Sequence, residues 1–299
     1  MLQARTAALA LAGALCLSSV HAAPVILVAD ASGTYYTVDA ASGAISVKGS
    51  SPSANVMEDI ALSPTGVLYG ISQDHLYRIN TAPGHYGELT AIGSALGTTG
   101  TNGWFAASLV FDANGTLYAA SDALFTINTA TGAATKIGNG GYAYGSSTTS
   151  TGDLAFVSGR LLLTSGGTDL RTYVATEDLV ELNPATGAGS LVGQIGYYDY
   201  GHGQGSGFLT VWGLASPNGN DLYGVEGNLL LSINPTTAAA NVVQNYSSHS
   251  SLSGANGAAV LPVAAVPLPA SLWLGAPALG LLFGRRRNPP RDAAAPSRR

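Results

Sequence analysis

A short pattern recurs five times along this chain of 299 residues, and the recurrence limits the possible folds more than any other feature. Each copy is a strand-like segment that ends in Asn or Asp, followed four residues later by Gly in four copies and by Ala238 in the fifth. The Asn or Asp can bond its own backbone and begin a turn, and the Gly suits the left-handed position that closes a bulged hairpin. The copies span residues 35–43, 76–84, 124–132, 179–187 and 230–238.

A second pattern precedes the first within each repeat and predicts a strand, a polar turn with Gly, and another strand. Its copies span residues 59–70, 108–119, 153–163 and 213–224. The two patterns together give four antiparallel strands per unit, and equivalent positions of successive units lie 41, 48, 55 and 51 residues apart. A four-stranded repeat of about 40–50 residues is the period of a β-propeller blade, whereas hexapeptide β-helices repeat faster and β-sandwiches need not repeat.

The two ends of the repeat region predict how the ring closes. The first unit begins at residues 25–30 without the strand that should precede it, and a spare strand, residues 256–261, follows the fifth unit. We expect the spare strand to complete the first blade, because pairing the chain ends removes two exposed sheet edges. Residues 24–262 are therefore predicted to form an all-β domain, a β-propeller of five four-stranded blades closed by its N- and C-terminal strands. Six or more blades are the alternative.

The N-terminus has the features of a signal peptide. Arg5 precedes an apolar stretch, residues 7–17, and small residues suited to cleavage end at Ala22 and Ala23. Cleavage there would remove residues 1–23, including Cys16, the only cysteine, so the mature chain would contain no disulfide. The body would then carry 5 basic and 16 acidic side chains, a formal net charge of −11. That charge argues against nucleic acid as a partner.

The C-terminus predicts a membrane segment with a basic end. Residues 266–284 carry no charge, and a helix of that length spans about 28 Å, close to the hydrocarbon thickness of a bilayer. The basic cluster that follows favours the cytoplasmic side, which leaves the large N-terminal body outside that membrane. The residues that define this segment are Val266, Pro267, Leu268, Pro269 and Ala270 at its start, and Arg285, Arg286 and Arg287 at its end.

A Pro-containing motif, an apolar span and an Arg cluster in this order resemble the PEP-CTERM sorting signal of Gram-negative bacteria. The resemblance covers residues 266–287 and implies that residues 263–299 are a sorting signal cut by an exosortase-type membrane enzyme. It also implies passage through the secretion translocon, an inner-membrane-anchored precursor, and a final location at the cell surface or outside the cell. An ordinary C-terminal membrane anchor is the alternative.

The body carries no catalytic signature. Residues 25–261 resemble secreted bacterial propellers with the Leu-Tyr…Asn-x-x-Thr-Gly blade, a resemblance of fold that supplies no catalytic residue. The four histidines of the body lack metal-site spacing, and no nucleophile elbow, phosphate loop or dinucleotide fingerprint is present, so neither a metal nor a cofactor is predicted. Asp112 begins a hairpin turn rather than a calcium loop. Glu58, Asp59 and Asp153 are expected to cap the starts of innermost strands, with a channel calcium ion as the alternative.

Aromatic residues are concentrated in the connections between blades. Residues 93–104, 138–152 and 193–212 are the longest variable stretches, and we expect them as loops on one face of the propeller, around the channel. Aromatic rings beside carboxylates suit stacking on sugars, although they can also fill gaps between blades. The candidate ligand-binding residues are Trp104, Tyr142, Tyr144, Tyr197, Tyr198, Asp199, Tyr200, His202 and Trp212.

Two functional hypotheses follow. The first is a non-enzymatic, exported propeller of the cell envelope or extracellular matrix that binds exopolysaccharide or a surface partner. The alternative is a propeller lyase or hydrolase that uses carboxylates in the channel, with calcium as its metal. The second hypothesis predicts paired acids with raised pKa values in the channel.

Overall fold

The predicted five-bladed propeller is the fold of the computed structural model, which describes residues 25–52, 57–72, 75–94, 96, 107–138, 149–246 and 254–261. Within these residues, 21 strands form five antiparallel sheets, one per blade. The described residues contain no helix long and apolar enough to cross a membrane. The predicted membrane segment, residues 266–284, and the predicted signal peptide lie outside them.

The strands of each blade follow one another along the chain and in space. Blade 1 contains β1 (Val25–Asp30), β2 (Thr34–Asp39) and β3 (Ile45–Ser50). Blade 2 contains β4 (Asp59–Leu62), β5 (Leu68–Ser72), β6 (His75–Ile79) and β7 (Leu89–Ile92). Blade 3 contains β8 (Ser108–Phe111), β9 (Leu117–Ala120), β10 (Leu124–Ile127) and β11 (Ala134–Ile137). Blade 4 contains β12 (Thr149–Val157), β13 (Arg160–Asp169), β14 (Val174–Leu182), β15 (Gly189–Asp199) and β16 (Gln204–Gly207). Blade 5 contains β17 (Gly213–Ala215), β18 (Leu222–Glu226), β19 (Leu229–Ile233) and β20 (Ala240–Asn245).

The last strand, β21 (Ala255–Val260), closes the ring as predicted. It pairs antiparallel with β1, so that Ile26 lies opposite Val260 and blade 1 has the order β21-β1-β2-β3. The Leu261 N–H also donates to the Val25 carbonyl at 3.3 Å. The innermost strands β4, β8, β12, β17 and β21 contact one another in ring order around a central channel.

Apolar side chains fill each of the five gaps between neighbouring blades. In each gap, one residue of an innermost strand packs into the same cluster as a residue of the preceding blade's innermost strand, as Leu109 and Ala61 do. Removing these side chains from water is the main stabilising contribution to the ring. The equivalent pairs are Ile60 with Ala259, Leu154 with Val110, Leu214 with Ala155, and Ala258 with Ala215.

Blade 4 departs from the predicted four strands. Its strands β13, β14 and β15 contain 10, 9 and 11 residues, and β16 adds a fifth strand. The prediction of residues 193–212 as a loop was therefore wrong for most of that stretch. Alternating aromatic residues with short Gly-rich turns favour paired strands, which satisfy backbone groups that a loop would leave to water. We call residues 166–177 and 194–207 the blade-4 extension.

The propeller has two distinct faces. The innermost strands begin on the face that we call upper and end on the lower face. The blade-4 extension lies on the upper face, beside the start of β12, because Thr149 pairs with Gly166. The Asn or Asp turns lie on the lower face, as do the two ends of the described chain, Val25 and Leu261. The Gly of the turn is left-handed as predicted, with φ of 72° at both Gly43 and Gly132.

Candidate functional site

Two buried carboxyl groups occupy the upper end of the channel. Asp59 and Asp153 stand at equivalent positions at the start of β4 and within β12, and both are 0% exposed. Asp59 accepts the N–H of Ile60 at 2.6 Å and that of Leu109 on blade 3 at 2.5 Å. As predicted, a carboxylate therefore caps the start of an innermost strand.

Asp153 repeats this arrangement on the opposite side of the channel. It accepts the N–H of Leu154 at 2.5 Å, the N–H of Leu214 on blade 5 at 2.7 Å, and the N–H of Ala258 on blade 1. Its own N–H donates to the Thr164 hydroxyl at 2.8 Å. The two carboxyl groups together receive one backbone donor from each of the five blades.

The two carboxyl groups influence each other's ionisation, and burial has the largest effect on both. Burial raises the pKa of Asp59 well above its usual range, and the neighbouring Asp153 raises it further. Burial likewise raises the pKa of Asp153 to about 7, while the hydrogen bond from Asp59 works in the opposite direction. Burial therefore favours the protonated form of the pair.

On the neighbouring blades 5 and 1, small residues occupy the positions that the two acids occupy on blades 4 and 2. Gly213 and Gly257 occupy the equivalent sites on blades 5 and 1, and a Cβ at Gly257 would lie 2.2 Å from an oxygen of Asp59. Below the acids lies a cavity of about 190 Å³ whose lining includes Leu62, Phe111 and Phe156. The glycines make room for the carboxyl groups, and the lower channel is lined largely by apolar side chains.

The channel acids match one prediction of the enzymatic hypothesis, since they are paired and have raised pKa values. Their oxygens, however, accept backbone N–H groups, and neither side chain is exposed to solvent. A substrate on the upper face would therefore not reach them. Glu58, the third predicted cap, is exposed, and its N–H bonds the Ile71 carbonyl at 2.7 Å. Within the part of the chain that the structure describes, no group of three or more His, Cys, Asp or Glu residues is arranged to hold a metal.

The blade-4 extension brings several of the predicted aromatic residues together. Tyr197 and Tyr198 lie on β15, opposite Thr176 and Ala175 of β14, and Tyr200 lies in the turn before β16. The rings of Tyr198 and Tyr200 meet edge to face, with centroids 4.9 Å apart and an interplanar angle of 71°. This contact orders two exposed or half-buried rings at the tip of a hairpin.

Asp199 and His202 stabilise the turn that carries Tyr200. The Asp199 carboxylate accepts the N–H of Gly201 at 2.9 Å and the N–H of His202 at 3.2 Å, and its other oxygen lies 2.6 Å from the His202 ring Nδ1. The His202 side-chain hydrogen bond and these N–H groups lower the pKa of Asp199. Both predicted residues therefore shape the turn that presents Tyr200.

A second hairpin tip beside the first was missed by the sequence prediction. The β13–β14 turn exposes Leu170 and Tyr173, and Tyr173 is 60% exposed, as is Tyr200. The Tyr200 N–H donates to the Tyr173 carbonyl at 2.9 Å, which joins the two tips. The spacing of 55 residues before the fourth copy of the repeat is the longest of the four, and it could have indicated extra residues in this hairpin.

Glu177, also missed, is a buried acid at the base of the extension. It is 1% exposed and accepts the Thr151 hydroxyl at 2.9 Å. Burial raises its pKa well above the usual range, and the charges of Asp178 and Glu226 act in the same direction. Glu177 lies beneath the exposed tips of the extension and does not contribute to their surface.

The remaining candidate residues lie elsewhere. Trp212 precedes β17 on blade 5, where its N–H donates to the Val225 carbonyl at 3.1 Å and its side chain is 39% exposed. Trp104, Tyr142 and Tyr144 lie outside the described residues, as do the sorting-motif residues from Val266 to Arg287. The described part of the predicted site is therefore the extension together with Trp212 on the next blade.

Comparison with known proteins finds solved structures of low sequence identity and low TM-score. No protein-family model and no curated protein matches the chain. A protein of unknown function from Bacteroides thetaiotaomicron VPI-5482 is 14% identical with a TM-score of 0.45, over 75% of this chain and 56% of that one, so this chain spans little more than half of its length. TolB from Acinetobacter baumannii is 13% identical with a TM-score of 0.43, over 81% and 67%. Virginiamycin B lyase from Staphylococcus aureus is 13% identical with a TM-score of 0.36, over 74% and 84%.

Proposed function

We propose that this propeller is an exported, non-enzymatic protein of the cell envelope or extracellular matrix that binds polysaccharide through its blade-4 extension. One observation carries the binding part of the proposal: two joined hairpin tips expose Tyr173 and Tyr200, each 60% accessible, on the upper face. Sugar rings stack on exposed aromatic faces, and neighbouring carboxylates and amides can bond their hydroxyl groups.

The extension is held in a fixed shape, which favours binding. Its strands continue the ladder of blade 4, and the Tyr200 N–H bond to the Tyr173 carbonyl joins the two tips. A ligand that meets such a surface loses less free energy in ordering the protein than one that meets a mobile loop. The exposed aromatic rings are thus available for contact without a folding step.

Export and sorting rest on the two ends of the sequence. The signal peptide of residues 1–23 directs the chain to the translocon, and residues 263–299 direct the precursor to an exosortase-type enzyme in the inner membrane. The described part of the chain ends at Leu261, on the lower face.

Affinity electrophoresis in gels that contain exopolysaccharide from the native host tests the binding. We expect the purified protein to be retarded, and the Tyr173→Ala and Tyr200→Ala variants each to lose most of this retardation. Leu191→Ala is the matched control, because Leu191 is 54% exposed on the same blade but on the lower part of β15. Equal migration of the wild-type protein with and without polysaccharide would remove the binding part of the proposal.

Mass spectrometry of the mature protein from its native host tests the sorting. We expect an N-terminus after Ala22 or Ala23 and a C-terminus close to Ala270, released from the membrane fraction. A chain that retains Arg285–Arg287 and stays in the membrane would instead indicate an ordinary anchor. Neither result changes the interpretation of the binding experiment, because the cellular location and the ligand are tested separately.

A further inference from the structure

The two hairpin tips of the blade-4 extension are built on the turn that the repeat uses on the lower face. Asp169 accepts the N–H of Arg171 on its side chain at 2.8 Å and the N–H of Tyr173 on its backbone carbonyl at 2.7 Å. The backbone carbonyl of Asp199 likewise accepts the N–H of Gly203 at 2.8 Å. Each tip therefore fixes an aspartate carboxylate in the same turn as an exposed tyrosine.

Tyr173 stands where four of the five repeat turns have glycine. Its φ is 55°, in the left-handed region, and Gly43 has a φ of 72° at the equivalent position. A side chain destabilises a left-handed position, whereas glycine adopts it without strain. The needs of the turn therefore do not explain a tyrosine here, and contact of its exposed ring with a ligand does.

The charge around the two tips is mostly negative. Asp169 and Asp199 lie in the turns, and Asp178 and Glu226 both act electrostatically on the buried acid at the base of the extension. The extension contains one lysine or arginine, Arg171, whose Nε lies 3.6 Å from Asp169 Oδ1 and whose side chain is 88% exposed. Four carboxylates thus surround one guanidinium.

The two carboxylates of the tips remain ionised in mildly acidic solution. The backbone N–H of Arg171 lowers the pKa of Asp169, and the His202 side chain lowers the pKa of Asp199. An ionised carboxylate only accepts hydrogen bonds, so it attracts an ammonium group and repels another carboxylate. Both groups are accessible, since the Asp169 and Asp199 side chains are 44% and 22% exposed.

The other basic side chains of the body lie away from the tips. Lys48, Arg78 and Lys136 lie on strands β3, β6 and β11, in blades 1, 2 and 3. Arg160 bonds Glu181 and Pro235 on the lower face. An anionic polymer on the extension would therefore meet one guanidinium and several carboxylates of its own sign.

We propose that the extension selects a cationic polysaccharide, one whose sugar rings carry free amino groups, over neutral and anionic chains. This inference rests on the proposed function, because it names the class of polymer that the same tyrosine surface takes. A sugar ring stacks on Tyr173 or Tyr200, and its ammonium group donates to the aspartate carboxylate of the same turn. The Tyr200 N–H bond to the Tyr173 carbonyl holds the tips side by side, so one polymer chain can contact both.

Calorimetric titration with two oligosaccharides tests the selectivity. The probes are an oligomer of glucosamine and its fully N-acetylated counterpart of equal length, at about pH 5.5, where the aspartates are ionised. We expect the amino oligomer to bind roughly tenfold more tightly at about 10 mM salt. The preference should disappear at about 1 M salt, because the Debye length falls from about 30 Å to about 3 Å. An oligomer of an anionic uronic acid should bind more weakly than either probe.

Aspartate-to-asparagine variants separate the charge from the turn. Asn stands at the same position in four of the five repeat turns, so Asp169→Asn and Asp199→Asn keep the turn and remove the charge. Each should weaken binding of the amino oligomer roughly three- to fivefold and leave the acetylated oligomer unaffected. Asp39→Asn is the matched control, because it makes the same change in a lower-face turn, where Asp39 accepts the Ala41 N–H at 3.0 Å. It should alter neither affinity.

Tyr173→Gly distinguishes a binding role from a structural one. It should raise the midpoint temperature of unfolding by roughly 2–4 °C, because glycine relieves the left-handed position. The same variant should weaken binding of both oligomers. A stabilised variant with unchanged binding of the amino oligomer would overturn the proposal.

The outcomes separate this inference from the proposed function. Equal affinities for the two oligomers, weakened together by Tyr173→Gly, would overturn the selectivity and leave polysaccharide binding in place. Binding of neither oligomer, by a protein that exopolysaccharide from the native host still retards in a gel, would also overturn the selectivity alone. Absence of both oligomer binding and gel retardation would remove the proposed function as well.

Discussion

At the scale of single residues, the glycine of the repeated turn has two separate roles. Its first role is conformational, since Gly132 and its counterparts adopt the left-handed backbone that closes the bulged hairpin. Its second role is contact with the preceding blade. A Cβ at Gly132 would lie 2.4 Å from the Ile92 carbonyl oxygen, and one at Gly93 would lie 1.8 Å from the Thr131 carbonyl. The backbones of blades 2 and 3 meet there without side chains between them.

These two roles can be measured separately. Gly132→Ala should lower the free energy of unfolding by about 3 kcal/mol, because the left-handed conformation costs about 1–2 kcal/mol and the new methyl group forces the blades apart. Gly115 is the matched control: its φ is also positive, at 89°, but a Cβ there meets nothing within 4 Å. Gly115→Ala should therefore show the conformational cost alone in urea denaturation. Equal losses in the two variants would mean that the inter-blade contact adds nothing.

At the scale of elements, blades 4 and 5 are joined on the lower face by one arginine. Arg160 of β13 donates from Nε and Nη2 to one oxygen of Glu181, at 2.9 and 2.7 Å, and from Nη1 to the Pro235 carbonyl in the turn of blade 5, at 2.8 Å. The planar guanidinium can serve both partners at once, which a lysine ammonium on a flexible stem does less well.

The arginine should contribute modestly, because both partners of the ion pair are about one-third exposed. Arg160→Met should lower the free energy of unfolding by about 1 kcal/mol, and Arg160→Lys should recover only part of it. Arg171→Met provides the comparison. The Arg171 Nε lies 3.6 Å from Asp169 Oδ1, and the Arg171 side chain is 88% exposed. Chemical denaturation should detect no change in that variant, whereas an equal loss in both would assign the effect to charge and not to the contact between blades.

Much of the element pattern could be predicted because it repeats. A hairpin turn needs particular residues at fixed spacing, so five copies of Asn or Asp with a left-handed residue four positions later predict five blades. Ala238 keeps the same left-handed backbone, with φ of 61°, although it is not Gly. Closure by the last strand followed from counting unpaired strands at the two ends.

The remaining features depend on contacts that repetition does not encode. The extra strand β16 and the long β13–β15 hairpins occur in one blade only, so no second copy could reveal them. The sequence placed Asp59 and Asp153 each at the start of an innermost strand, and it predicted paired channel acids only under the enzymatic alternative. The exposed Tyr173 was overlooked because its segment was assigned to no repeat.

At the scale of the whole molecule, the two faces have different chemistry and different mechanical roles. The lower face contains the turns of the repeat and both ends of the described chain, and the upper face contains the acid pair and the aromatic extension. The upper face is therefore where the proposed polysaccharide binding applies.

Closure by β21 is the feature on which the whole ring depends. This strand pairs with β1, places Ala258 and Ala259 in two different inter-blade clusters, and supplies the N–H that Asp153 receives from blade 1. A chain that ends at Gly254 should therefore lose more than about 5 kcal/mol, enough to abolish cooperative unfolding in a domain of ordinary stability.

A chain that ends at Leu261 is the control for that truncation, because it keeps β21 and its bond from Leu261 to Val25. It should unfold at the same midpoint as the full chain in a calorimetric scan, since nearly all of the residues beyond it are predicted to belong to the sorting segment. Cooperative unfolding of the Gly254 truncation at the full-chain midpoint would mean that blade 1 is stable with three strands. In that case the contacts that remain between the blades, and not the pairing of the chain ends, would hold the ring together.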